Sequence, residues 1–101
     1  ITGGFNVSPS EVENVLRGHP DLSDVAVVGV PAPSGGEKVV AVVLLRPGAT
    51  LDEAALRDYC KERLAGYKVP REIVAINDLP RSMLGKVLRK QVREQFLADH
   101  A

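Results

Sequence analysis

The chain has 101 residues, 45% hydrophobic and 26% charged, a balance that fits one compact domain with a modest core rather than a disordered segment. Its 13 basic and 13 acidic residues leave a formal net charge of zero, which argues against general nucleic-acid binding. No apolar run approaches the roughly 20 residues that span a bilayer, and no signal-peptide layout opens the chain. The single cysteine, Cys60, cannot form an internal disulfide, so a cytoplasmic protein without a transmembrane segment or nucleic-acid partner is expected. The start, Ile1-Thr2-Gly3-Gly4, has no initiator Met and reads as though cut from something longer, so that part of an active site is expected to lie elsewhere.

Ser8-Pro9-Ser10-Glu11 starts a helix: Ser8 can cap, Pro9 suits the first helical position, and Glu11 stands where a capping box wants a carboxylate. The helix should reach about Arg17, burying Val12, Val15 and Leu16, before Gly18-His19-Pro20 ends it. Val25 to Val30 is a short apolar run and reads as a buried strand; Lys38 to Leu45, with four valines, reads as a second. The short loop between them favours an antiparallel pair.

Thr50-Leu51-Asp52-Glu53 repeats the capping-box pattern, and the helix after it should reach about Leu64, with Leu56, Cys60 and Leu64 on one stripe. A third strand is expected over Glu72 to Ile76. Asn77 to Lys86 reads as a loop, and a last helix should cover Arg89 to Ala98 with Leu88, Val92 and Phe96 at i, i+4 spacing. The order predicts a small layered α+β domain: three helices on an about three-stranded, mostly antiparallel sheet, with a short β segment at the N-terminus.

Pro80-Arg81-Ser82-Met83-Leu84-Gly85-Lys86 is the most informative stretch. A lysine directly after glycine, at a loop tip, is free to reach into a neighbouring cleft and neutralise a phosphate or carboxylate oxygen. Most exposed loop lysines merely solvate, however, and the glycine spacing of a Walker motif is absent. Around it, Arg81, Lys86, Arg89, Lys90 and Arg93 follow one another with no acidic residue between, either a solvated face or an anion site. Gly3-Gly4 would let backbone approach a ligand closely, though a simple turn is the plainer reading. In Gly66-Tyr67-Lys68-Val69-Pro70 the tyrosine could stack on a ligand or, more simply, cover the core edge. Cys60 reads as core, and neither His19 nor His100 has company at metal-ligand spacing.

In this order and spacing, Gly3-Gly4-Phe5-Asn6-Val7-Ser8-Pro9-Ser10-Glu11-Val12-Glu13, His19-Pro20, Gly36-Glu37, Gly66-Tyr67-Lys68-Val69-Pro70 and Pro80 to Lys86 resemble the C-terminal domain of the adenylate-forming superfamily. That superfamily comprises acyl-CoA synthetases, peptide-synthetase adenylation domains and firefly-type luciferases. The resemblance spans essentially the whole chain and implies that residues 1–101 are the lid domain of such an enzyme, the large N-terminal adenylation domain being absent from the chain.

The resemblance implies a two-step reaction. A carboxylic acid attacks the α-phosphate of ATP to give an acyl-adenylate and pyrophosphate, and the thiol of CoA then displaces AMP. The lysine matching Lys86 is the family's catalytic residue, contacting carboxylate and phosphate oxygens in the first step. After rotation of the domain about a hinge upstream of Ile1, the loop matching Thr2, Gly3 and Gly4 lines the tunnel for the pantetheine arm of CoA. Mg²⁺, the ATP phosphate loop and the acyl pocket are expected in the N-terminal domain.

Peptide-synthetase domains usually carry Asp three positions after the catalytic lysine. Here Arg89 stands there, and the chain looks most like medium- or long-chain fatty acid–CoA ligases. The expected partners are its own N-terminal domain, a fatty acid, ATP, CoA, and a lysine acetyltransferase and deacetylase acting on Lys86. A cytoplasmic enzyme, with or without peripheral membrane attachment, follows. The alternatives are a lid serving another carboxylic acid and a free-standing regulatory module that binds an anion through the basic cluster.

Overall fold

Ser8 and Pro9 begin the first helix as expected: Ser8 Oγ accepts the Glu11 N–H at 3.4 Å, and α1 runs Pro9–Arg17. The computed structural model describes residues 7–100, so the expected N-terminal β segment lies outside the described residues. α1 buries Val12 and Leu16 fully and Val15 partly, and it buries Glu13 as well. Gly18 closes it in a right-handed conformation, so positive φ is not the reason for glycine. A Cβ there would stand 2.7 Å from the Tyr59 hydroxyl, and close approach is the reason.

β1 (Leu22–Pro31) is longer than the apolar run alone indicates, and it pairs antiparallel with β2 (Glu37–Leu45), placing Val25 opposite Val43 and Val28 opposite Val40. Both strands read as continuous valine runs because both faces of the sheet are covered. Val25, Val27, Val39, Ala41 and Val43 face α1 and the second helix, with Val12, Leu16, Leu56, Cys60 and Leu64 packed on them. Ala26, Val28, Val30, Val40 and Val42 face the other way, onto Val92 and Phe96 of the last helix. The sheet is thus the middle of three layers.

α2 (Glu53–Lys61) starts two residues later than the Thr50 capping box predicts. Asp52 caps it, its Oδ1 accepting the Ala55 N–H at 3.0 Å. Glu53 is thereby freed to pair with Arg57 at 2.7 Å and to accept the Ile73 N–H at 3.0 Å. The helix stops at Lys61 rather than Leu64, yet Leu64 still reaches the core because its N–H bonds Cys60 O at 2.8 Å in the closing turn.

A short 3₁₀ turn, Gly66–Lys68, leads to β3 (Glu72–Ala75). Tyr67 stays 43% exposed instead of covering the core edge, and Val69 packs against the core in its place. β3 pairs with β2 in parallel, so the sheet is mixed, in the order β1-β2-β3. The β2–α2–β3 connection explains this, since a helical crossover carries the chain back to its starting end and delivers the next strand parallel. α3 (Arg89–Asp99) closes the chain on the second face.

Leu16 is fully buried between α1 and the sheet. Leu16→Ala should lower unfolding free energy by about 2–5 kcal/mol, read from the midpoint of urea denaturation of this chain.

Candidate functional site

The stretch from Pro80 to Leu88 is a closed hairpin rather than a free loop. Arg81 and Val87 form an antiparallel bridge, and Leu88 N–H donates to Pro80 O at 2.8 Å. Inside it, Ser82 N–H donates to Lys86 O at 2.8 Å, Gly85 N–H to Ser82 O at 2.9 Å, and Lys86 N–H to Ser82 Oγ at 3.2 Å. The turn needs Gly85 at φ +86°, with open space where its Cβ would be, so the requirement is conformational and not spatial. Met83 and Leu84 occupy the tip. Lys86 stands two residues beyond Leu84, on the returning arm, which corrects its expected place at the tip. Its backbone is fixed and only the side chain is free to move.

Two carboxylates on the α1/β1 layer pin the hairpin. Asp24 receives Arg81 Nη2 at 2.7 Å, and the same guanidinium donates to Gly85 O at 3.2 Å, bracing the turn. Asp24 also accepts the Val25 N–H at 2.8 Å and Arg17 Nε at 3.2 Å. Burial alone would raise the Asp24 pKa, but the Val25 N–H and the two guanidinium groups outweigh it and hold the carboxyl below its ordinary 3.8. On the other arm Glu13, 4% exposed, accepts Arg89 Nη2 at 2.8 Å and Nε at 3.0 Å while taking the Val27 N–H at 2.8 Å. The hydrogen bonds to Glu13 raise the pKa of Arg89 further. Neither carboxylate was assigned a role from the sequence, although Glu13 ends the first stretch that carries the resemblance. The signal for Glu13 was its place beside Val12 and one turn before Leu16, on the apolar face of α1.

The basic cluster is therefore divided. Arg81 and Arg89 are committed to Asp24 and Glu13, and Arg93 donates to Gly29 O at 2.7 Å with Glu37 at 3.9 Å. Among the described residues the Lys86 and Lys90 ammonium groups have no partner. Lys86 borders a groove of about 360 Å³ that runs to Ser10, Asn14 and Arg17 of α1. The arrangement presents one available cation, on a braced support, beside an open polar groove.

The other candidates are placed elsewhere. Thr2, Gly3 and Gly4 lie outside the described residues. Lys68 bonds Glu11 at 2.8 Å and ties the Gly66–Lys68 turn to α1; this bond raises the lysine's pKa. Cys60 is buried in the core, and burial pushes its thiol pKa up, the reverse of what a nucleophile needs. His19 packs edge-on against Tyr59, ring centroids 5.0 Å apart. Among the described residues no three metal-ligating side chains are gathered, and no helix is long and apolar enough to cross a membrane.

Comparison with known proteins finds relatives both in sequence and in shape. The family profile described as AMP-binding enzyme C-terminal domain matches residues 11–86. A 2-succinylbenzoate–CoA ligase of Geobacillus kaustophilus is 48% identical over 93 residues, 92% of this chain and 19% of that protein. A long-chain-fatty-acid–CoA ligase of Escherichia coli O6:H1 is 40% identical over 95 residues, 94% of this chain and 17% of that protein. The structure of a Mycobacterium tuberculosis fatty acyl CoA synthetase superposes with a TM-score of 0.90 at 39% identity, covering 98% of this chain and 20% of that one. The chain thus spans about a fifth of the length of the relatives it matches.

Because the folded pKa of Asp24 is depressed, its ion pairs stabilise the fold fully above the unfolded value near 3.9, and that stabilisation is lost as pH falls through the folded value. Asp24→Asn should therefore cost about 1–3 kcal/mol at pH 7 and progressively less below about pH 4, measured by urea denaturation across pH.

Proposed function

The chain belongs to the family of AMP-binding enzyme C-terminal domains, and from that premise we propose that it is the lid of an ATP-dependent fatty acid–CoA ligase in which Lys86 serves acyl-adenylate formation. The observation that carries this reading is an unpartnered cation at the edge of a groove, which Lys86 borders and Lys90, the other unpartnered lysine of the cluster, does not. Arg81, Arg89 and Arg93 are each held by protein acceptors, whereas Lys86 is exposed, without a partner among the described residues, and mounted on a hairpin braced at both arms.

Such a group suits a site where a carboxylate must approach a phosphate. Both reactants are anionic, and a compact ammonium between their oxygens offsets the repulsion and stabilises the charge that builds as they join. Hydrogen bonds already closed within the hairpin mean that little backbone need be ordered at the moment of reaction. ATP and CoA are the expected co-substrates. Mg²⁺ is expected in the N-terminal domain, and no step here runs through it.

The acid remains a proposal of its own. The Arg89 position and the run Gly85-Lys86-Val87-Leu88 favour a fatty acid, while relatives sharing this domain are named for succinylbenzoate as well as long-chain fatty acids. Pyrophosphate release by the full-length enzyme against acids of graded length tests the assignment. The anion-binding module has less support: it needs the whole basic cluster, and three members of that cluster already have acceptors. Acetylation of Lys86 would remove the charge on which the proposal rests, and the exposed ammonium is open to a modifying enzyme.

In the full-length enzyme, Lys86→Ala should slow pyrophosphate release by about 10²–10³ while still converting supplied acyl-adenylate to thioester. Equal loss of both steps would contradict the assigned role. Gly4→Leu, placed in the proposed CoA tunnel, should do the opposite, sparing pyrophosphate release and blocking thioester formation.

A further inference from the structure

Met83 and Leu84 are the central residues of the turn closed by the Gly85 N–H to Ser82 O bond, and they are 105% and 97% exposed. Turn tips ordinarily carry Gly, Asn, Asp, Ser or Pro, which supply the conformation or hydrogen-bond locally; Met and Leu do neither. Ser82 and Gly85 already meet the needs of this turn, through the Ser82 hydroxyl and the positive φ of Gly85. Met83, the single methionine of the chain, and Leu84 therefore contribute nothing to the domain that carries them. Among the described residues the only other exposed large hydrophobic is Tyr67, at 43%.

The pair shares a braced hairpin with Lys86 and projects beyond it, so any movement that carries Lys86 into a cleft brings Met83 and Leu84 against the wall of that cleft. Most of the length of the relatives lies outside this chain and is available to supply that wall. We propose that Met83 and Leu84 form an apolar tip that seats against an apolar wall of the protein's own N-terminal domain whenever Lys86 enters the reacting site. This rests on the reading of Lys86 given above. The consequence is chemical as well as mechanical: two side chains seated beside the ammonium displace water there, and a charge acts more strongly where water is excluded. Methionine and leucine fit such a role because both adapt to an apolar surface without needing a polar partner on it.

The test uses the full-length enzyme. Met83→Ser combined with Leu84→Ser should lower pyrophosphate release roughly ten- to hundredfold, the equivalent of losing the burial of about one to two apolar side chains, and leave thioester formation from supplied acyl-adenylate unchanged. Met83→Leu with Leu84→Met should retain pyrophosphate release. Independently, peptide mapping after brief peroxide treatment should show Met83 oxidised readily in the free enzyme and protected when a non-hydrolysable acyl-adenylate analogue is bound. Wild-type pyrophosphate release in the double serine variant, or equal oxidation with and without the analogue, overturns the proposal. Lys86→Ala separates the two levels. If that variant loses adenylation while the serine variant keeps it, only the tip is refuted; if Lys86→Ala keeps adenylation, the reading of Lys86 falls first.

Discussion

One buried carboxylate ties the end of the Lys86 hairpin to the rest of this domain. Glu13 sits inside α1 with almost no exposure, takes the Val27 N–H of β1, and receives two hydrogen bonds from Arg89 at the start of α3. A carboxylate so placed is costly unless its partners are present, so the three elements are locked to one another by a demand that none can meet alone. α3 has no side-chain cap at Leu88, and its first residue is instead anchored through this pair. The hairpin that ends at Leu88 inherits the anchor, and Asp24 repeats the arrangement on the other arm through Arg81. Lys86 is thus placed by two carboxylates that are committed to its neighbours.

That division of labour resolves an ambiguity in the sequence. Five basic residues in a row of 13, without an acid among them, read equally as a solvated face or an anion site. The acceptors of the three arginines lie far away in sequence, at Asp24, Gly29 and Glu13, and only the fold brings them together. The basic run is three arginines used as structural ties and two unpartnered lysines, of which Lys86 alone stands at the edge of the groove.

Local chemistry was the legible part. Ser8-Pro9 marks the start of α1, the valine runs mark β1 and β2, and the Leu56, Cys60, Leu64 stripe marks the buried side of the second helix and its closing turn. The capping box pointed to Thr50 as the cap of α2, but Asp52 takes that place, and Glu53 bonds the Ile73 N–H on the outer edge of β3 instead of closing the box. The parallel direction of β3 follows from the helix between β2 and β3, and the expectation of a mostly antiparallel sheet left the direction of this strand open. The motif drew attention to Lys86, but its support could not be read, since ion pairs spanning 57 and 76 residues leave no periodic trace.

The support and the unpartnered charge together are what the proposed lid role would use. A braced hairpin carries a cation on its own side chain, and in the proposed reading the rest of the protein supplies the anions. The most direct test is a crystal structure of the full-length enzyme with a non-hydrolysable acyl-adenylate analogue. The account predicts Lys86 Nζ within hydrogen-bond distance of the analogue's carboxyl and phosphate oxygens, with the Arg89–Glu13 and Arg81–Asp24 pairs intact. An amine left in bulk solvent while the adenylate oxygens are satisfied by other groups would contradict it.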